Sequence, residues 1–329
     1  MRSGRMRVAV ASLLLVVSWG WGLCFALGDT LRVENIPSFV RQGDVFRIRL
    51  AADGAGVPSG DFQGKEISFY PEAHGKGCGA LVGVDLESPA GIYPLRVTPN
   101  EGGRGSSWRF EVEVIKAFFG VQRITLPPEM VDLDPQSLKR AKEEAKRIRA
   151  LWATRSGDRW WDGDFLFPVE GAISSVFGVR RILNDQRRSR HNGIDIRAPR
   201  GKKVFCPNGG RVAMVDEFFF GGNTAVIDHG QGLYSFFMHL DRVAVRMNQG
   251  VRKGDVVGTV GATGRATGPH LHWGISLNGA RVDPLSLMEA INDDREAIQM
   301  IRKRRYMAEK WKKRPKNGEN LGKGGKTLD

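Results

Sequence analysis

The chain predicts a mainly β protein: a small N-terminal β-sandwich, a linker helix, and a second domain built as an antiparallel β-sheet. Three observations carry this. Between residues 29 and 117, short runs that alternate apolar and polar side chains are divided by glycines. Around 135–153 the apolar period changes to that of a helix, and from 165 to 288 the runs are again short, β-rich and separated by Gly or Asn turns.

The start of the chain sets its destination. Met1–Arg7 carries three arginines and no acid, and Val8–Leu23 is nearly all apolar, the charge and length of a secretory signal. Cys24 and Ala26 are small residues where a signal peptidase reads, so residues 1–26 are expected to be a signal peptide cut after Ala26. Because the apolar run through Leu27 approaches the ~20 residues that span a bilayer, an uncleaved membrane anchor stays open as the alternative. Leu23, in front of Cys24, argues against lipid attachment there. Export to the periplasm or cell envelope follows, with inner-membrane anchoring under the second alternative.

In the N-terminal module, residues 29–117, Val45–Leu50, Ile92–Val97 and Ser107–Val114 are the clearest strands, the last with Trp108, Phe110, Val112 and Val114 on one face. His74 sits in a glycine-flanked loop and reads as solvated. The linker, residues 118–164, holds the helix: Asp134 caps it, Pro135 enters its first turn, and Leu138, Ala141, Ala145, Ile148 and Trp152 form an apolar stripe. That helix is expected to brace one domain against the other. The tail, residues 293–329, is helical and basic to about Trp311, with Ile298, Ile301, Met307 and Trp311 spaced for an amphipathic face. It reads as a solvated tail, with docking to membrane or wall as the alternative; its Gly- and Lys-rich end is expected to be disordered.

Charge narrows the partners. The net charge is +14, of which the first seven residues carry three and the tail six, leaving about five on the body. An exported basic protein is predisposed to anionic polymers, which in a bacterial envelope are peptide-bearing glycan, teichoic acid or lipid headgroups. Nucleic acid would suit the charge, but no nucleic-acid motif is present and the signal directs the chain elsewhere. Cysteine is scarce: beyond Cys24 only Cys78 and Cys206 remain, and nothing in their spacing supports a disulfide or a metal role.

The chemistry-bearing residues are histidines. His270 and His272 lie two apart in a stretch that starts after Gly268-Pro269 and runs into Asn278-Gly279, so both imidazoles face one side of a strand. His191 and Asp195 are four apart in a segment whose Gly193, Ile194 and Ile196 argue for strand over helix, and His239 is placed near the end of an aromatic strand. His191, Asp195 and one of the two paired histidines would give a tetrahedral ion three protein ligands and one open position, the catalytic arrangement of zinc. His229, between Asp228 and Gly230, falls outside these motifs and reads as structural. The His-Glu-x-x-His helix of other zinc proteases and the Gly-x-Ser-x-Gly elbow of serine hydrolases are absent.

His191-x-x-x-Asp195, Met238-His239-Leu240 and His270-Leu271-His272, in that order and spacing, resemble the zinc endopeptidases of the lysostaphin/LytM type. Phe177-Gly178-Val179-Arg180-Arg181, Gly209-Gly210-Arg211-Val212 and Thr263-Gly264-Arg265 resemble the framework around those motifs, and the likeness covers roughly 165–285. The resemblance implies one Zn2+ per chain held by His191, Asp195 and His272, with His239 and His270 as unligated catalytic histidines. It implies a lysostaphin-like antiparallel sheet with a groove, and hydrolysis of peptide cross-links in peptidoglycan. Phe237 departs from the family, which often has Tyr there, so no tyrosine hydroxyl acts from that position. Some relatives lose zinc ligands and activate other wall hydrolases, which makes an inactive regulator the alternative; all five positions are kept here. Export and the absence of a Gram-positive wall-anchoring signal favour stem-peptide cross-links over glycine bridges. Arg180, Arg181, Arg187 and Arg188 lie just before the first ligand motif and read either as partners for stem-peptide carboxylates or, equally for each, as a solvated basic loop.

Overall fold

The structure, a computed structural model, describes residues 32–34, 36–51, 57–72, 77–99 and 107–312. The signal segment, His74 and the end of the tail lie outside these residues. Among the described residues no helix is long and apolar enough to cross a membrane.

The N-terminal module contains β1 (Arg32–Glu34), β2 (Phe39–Arg41), β3 (Val45–Ala51), β4 (Ser59–Phe62), β5 (Lys65–Pro71), β6 (Cys78–Gly83), β7 (Gly91–Thr98) and β8 (Trp108–Ile115). They form one sheet in the order β1-β3-β6-β5-β4-β7-β8-β2. β5 pairs with β4 through residues 65–68 and with β6 through 69–71, so the sheet folds over and closes on a core of Ile48, Leu50, Phe62, Phe69, Ala80, Leu95, Val97, Val112 and Val114. The alternation in β8 explains its placement, because Arg109, Glu111 and Glu113 stay in water while Val112 and Val114 are buried.

The linker starts with a strand, β9 (Val121–Ile124), and continues into α1 (Pro135–Trp152). Asp134 caps α1, its carboxylate accepting from the amides of Gln136 and Ser137 at 2.8 and 3.0 Å. The bracing role expected of the helix is not what the structure shows. Ile148, Leu151 and Trp152 pack on Val226, Tyr234 and Phe236 of the second domain, Leu138 is exposed, and Glu144 is buried instead, accepting from the Phe219 amide at 2.8 Å. Contact with the first module comes from residues past the helix: Arg155 pairs with Glu66 at 3.0 Å, and Arg159 and Trp161 pack on the Tyr70 ring. The apolar stripe found a single sheet, not a cleft between two domains.

The second domain holds β10 (Ala172–Ser175), β11 (Arg180–Leu183), β12 (Gln186–Arg190), β13 (Gly193–Arg197), β14 (Lys203–Phe205), β15 (Gly210–Phe218), β16 (Gly222–Gly230), β17 (Leu233–Val243), β18 (Gly250–Val251), β19 (Val256–Val260), β20 (His270–Leu277) and β21 (Ala280–Val282). The backbone of the sheet runs β10-β13-β20-β17-β16-β15-β18, with β19 and β21 joined to β17 and β20 and β14 joined to β19. All these pairings are antiparallel. The fold class is therefore the mainly β one expected, with two helices at the end, α2 (Pro284–Ile291) and α3 (Arg295–Lys312).

A third sheet, β12-β11-β9, departs from the antiparallel pattern because the linker strand β9 lies parallel to β11, with Gln122 opposite Arg181. The two modules share one core: Val45, Tyr70, Leu81 and Leu86 pack with the residues of the second sheet. Asp283 donates its amide to Gly43 O at 2.8 Å, and Arg281 grips Asp85 at 2.8 and 3.1 Å. Gly43 has φ +85°, and a Cβ there would lie 2.4 Å from the Phe177 ring, so this junction requires glycine. Among the described side chains of α3, Ile301 and Ala308 are buried, Met307 is exposed, and Arg305 pairs with Asp283 and Glu289, each at 3.2 Å. Through Ala308 the helix therefore packs on the domain, and the solvated reading fails for that part. Cys78 and Cys206 are buried and free, and burial pushes the Cys206 thiol up to about 12.

Candidate metal centre

β13 and β20 are neighbours in a register that sets Asp195 opposite His272, and β17 on the other side of β20 sets Met238 opposite the same histidine. Cross-strand pairing thus joins a carboxylate and an imidazole that are far apart in sequence. His191 precedes β13 and is not in a strand; its backbone is clamped by Val179 O, which accepts from its amide at 2.9 Å, and by the Gly178 amide, which donates to its carbonyl at 2.7 Å. Gly193 lets the two strands approach this closely, since a Cβ would meet Trp273 O at 2.4 Å and His272 Nε2 at 2.9 Å.

The three side chains converge. His191 Nε2 lies 2.9 Å from Asp195 Oδ1 and 3.0 Å from His272 Nδ1, and His272 Nδ1 lies 2.9 Å from the same Asp195 oxygen. All three residues are buried. Burial first, and then the charge of Arg181, push His191 down to about 4, so the ring is neutral at neutral pH. Its single proton sits on Nδ1, which donates to Val176 O at 2.9 Å, and Nε2 is left as a bare lone pair aimed at a carboxylate oxygen. Burial opposes ionisation of Asp195, but His191, protonated at the acid pH where this carboxyl would titrate, and the Arg181 guanidinium outweigh it and hold the carboxyl well below the usual range. Lone pairs facing one another at this distance repel unless a cation joins them. Two imidazoles and a carboxylate are a donor set that zinc accepts, so the residues present fit that ion.

Two further histidines stand beside the triangle. The His239 ring is 4.7 Å from that of His270 and 6.1 Å from that of His272, centroid to centroid, and His270 Nε2 is 3.8 Å from Asp195 Oδ1. Each is oriented by a backbone carbonyl: His239 Nδ1 donates to Thr263 O and His270 Nδ1 to Gly268 O, both at 2.8 Å. In each ring Nε2 is then the basic nitrogen. Burial, with the nearby His270 and His272, pushes His239 down to about 3. His239 is not near the end of its strand, as the aromatic run suggested. It occupies a bulge inside β17 at φ +62°, where the register against β16 jumps from Phe237 to Leu240. The left-handed residue turns the side chain toward the site instead of along the pleat.

Of the arginines expected to face substrate carboxylates, Arg181 is instead paired with Asp195 Oδ2 through Nη2. The side chains of Arg187 and Arg188 lie outside the described residues. The sequence also gave no sign of Ser175, whose hydroxyl lies 3.3 Å from His191 Nδ1, or of Gln122 in the linker, which accepts from Ser175 at 3.0 Å. Ser175 is opposite Asp195 across β10 and β13, so only the pairing of those strands reveals it.

His229 is fully buried, with Nδ1 2.7 Å from Gly209 O and Nε2 2.8 Å from Ser235 Oγ. Burial pushes it down to about 4. The unfolded chain, at ~6.5, therefore takes up the proton first. The stability this residue contributes is complete above about pH 6.5 and is lost as pH falls toward about 4, a loss of roughly 3 kcal/mol. Urea midpoints of wild type and His229→Gln between pH 7.5 and 4.5 are expected to show a shallower pH slope in the variant; equal slopes would refute the assignment.

A predominantly antiparallel β domain with a buried His-Asp-His triad and two adjoining histidines defines the class as that of metallopeptidases. The chain belongs to peptidase family M23, whose members are zinc enzymes. The model of that family matches residues 189–284. A solved structure described as a putative peptidase M23 from Pseudomonas aeruginosa is 32% identical, with a TM-score of 0.60, and the match covers 76% of this chain and 95% of that one. Among curated relatives, peptidoglycan DD-endopeptidase ShyA of Vibrio cholerae is 34% identical over 207 residues, which are 60% of this chain and 47% of ShyA. The DD-carboxypeptidase/endopeptidase Mpg of Neisseria meningitidis is 42% identical over 118 residues, 35% of this chain and 26% of Mpg. The chain thus spans about half the length of the first of these relatives and about a quarter of the second.

Proposed function

We propose that this protein is an exported zinc endopeptidase that hydrolyses stem-peptide cross-links in bacterial peptidoglycan. The observation that carries the reading is the meeting of His191, Asp195 and His272 at 2.9–3.0 Å with the His239–His270 pair beside them. In this reading His191 Nε2, Asp195 Oδ1 and His272 Nδ1 hold the ion. Bound zinc supplies Lewis acidity, polarising a carbonyl and bringing the pKa of water to ~7.

The remaining chemistry belongs to the chain's own histidines. His270 and His239 each keep Nδ1–H on a carbonyl and offer Nε2 as a base, so one of them accepts the proton of the attacking water. The imidazolium that results returns the proton to the leaving amine. His239 is buried and His270 is only partly exposed, which limits the access of bulk water to that exchange. An inactive regulator would be expected to have lost one of these five groups, and none is lost.

The substrate reading is supported by the similarity to the peptidoglycan DD-endopeptidase ShyA and the DD-carboxypeptidase/endopeptidase Mpg, and by the basic charge and export signal of this chain. The apolar segment at residues 8–23 would deliver the protein to the envelope, as a cleaved signal or as an anchor. Purified enzyme is expected to convert cross-linked muropeptide dimers to monomers while glycan strands stay intact, read by mass spectrometry. Cleavage of pentaglycine with dimers untouched would overturn the substrate and leave the metal centre standing.

A further inference from the structure

We infer that Arg181 is a positioning residue of the metal centre: its guanidinium occupies one oxygen of Asp195, so that the carboxylate binds the ion through the other oxygen alone. The inference rests on the zinc reading above. A carboxylate binds an ion through one oxygen or through both, and binding through both would fill the position a catalytic site must leave for water. Here the division is built in. Asp195 Oδ1 faces His191 and His272 at 2.9 Å each, while Oδ2 accepts from Arg181 Nη2.

The arginine is itself held in place. Its strand β11 is fixed between β12 and the linker strand β9, with Gln122 opposite Arg181. Nη2 also reaches Ser175 Oγ at 3.4 Å, and that hydroxyl donates to Gln122 Oε1 at 3.0 Å. A chain of contacts therefore runs from the linker through Ser175 and Arg181 to the ligand oxygen. A planar fork with several donors suits this double duty, and a lysine ammonium on a flexible stem does not. The pairing also explains why Arg181 is not available to substrate carboxylates.

The test uses the full chain with Arg181→Gln, Arg181→Lys and Arg181→Ala beside His191→Ala. Zinc affinity is measured by competition with a chromogenic chelator, and visible absorption is recorded with cobalt in place of zinc. Arg181→Gln and Arg181→Ala are expected to weaken zinc by ~10–100-fold, with Arg181→Lys in between. In the Gln and Ala variants the cobalt bands should weaken as the second carboxylate oxygen joins and the ion becomes five-coordinate. Wild-type affinity in Arg181→Gln, or weakened affinity with an unchanged cobalt spectrum, would overturn the role of Arg181 alone. A wild-type protein that takes up no zinc, like His191→Ala, would overturn the metal reading itself.

Discussion

Alanine at His191, Asp195 or His272 is expected to abolish zinc binding and peptidoglycan hydrolysis together. With three protein ligands, each supplies a third of the protein's hold on the ion, and the donor atoms of all three lie within 4.8 Å of one another with no fourth candidate among the described residues. Without the ion the water pKa returns from ~7 toward 15.7, so the supply of hydroxide at neutral pH disappears. Asp195→Ala has a second consequence, since Arg181 loses its carboxylate and a partly buried charge is left uncompensated. That variant should therefore be the least stable of the three. Metal content by atomic emission and dye release from labelled peptidoglycan check the prediction: about one zinc per chain in wild type, none in the variants. Full activity in a demonstrably zinc-free His272→Ala protein would be incompatible with it.

Removing His239 or His270 is expected to separate catalysis from metal binding. Each sits beside the triangle without closing it, so zinc content should stay near one per chain while turnover falls ~10²–10⁴-fold, the usual worth of a general acid or base. His239 needs a particular choice of replacement. At φ +62° alanine carries a backbone cost of about 1 kcal/mol, whereas asparagine tolerates the left-handed region. His239→Asn therefore tests the imidazole with little backbone change, and His239→Ala tests imidazole and bulge together. Loss of zinc in His239→Asn or in His270→Ala would move that histidine into the ligand set.

The parts of the site legible in the sequence are those with short spacing. His270 and His272 are two apart on β20, and both nitrogens that matter lie within 3.8 Å of Asp195 Oδ1. His191 and Asp195 are also local, although the strand begins only at Gly193, so the first of them owes its position to hydrogen bonds with Val179 and Gly178 instead. What escaped the sequence is non-local. Arg181 reaches Asp195 across a hairpin, Thr263 orients His239 from another loop, and Gln122 enters from a linker strand that no local pattern marks. Amphipathic spacing placed Ala141, Ile148 and Trp152 on the packed side of α1 but also put the exposed Leu138 there, and could not say which surface the stripe would meet.

By itself the sequence determined the class of fold, because strand alternation and glycine turns are local properties of a chain whose period of two is imposed by the pleat. It also determined which residue types could carry the chemistry, since so few histidines are present and all but two fall in the three motifs. Only the tertiary structure decided the rest. Register between β13, β20 and β17 chose the face on which the imidazoles and the carboxylate meet, and a bulge chose where His239 points. Pairing of β11 with β12 and the linker strand β9 put Arg181 on the other oxygen of Asp195. Such choices depend on hydrogen bonds between strands distant in the chain, and on burial that excludes water from lone pairs, neither of which a local pattern encodes.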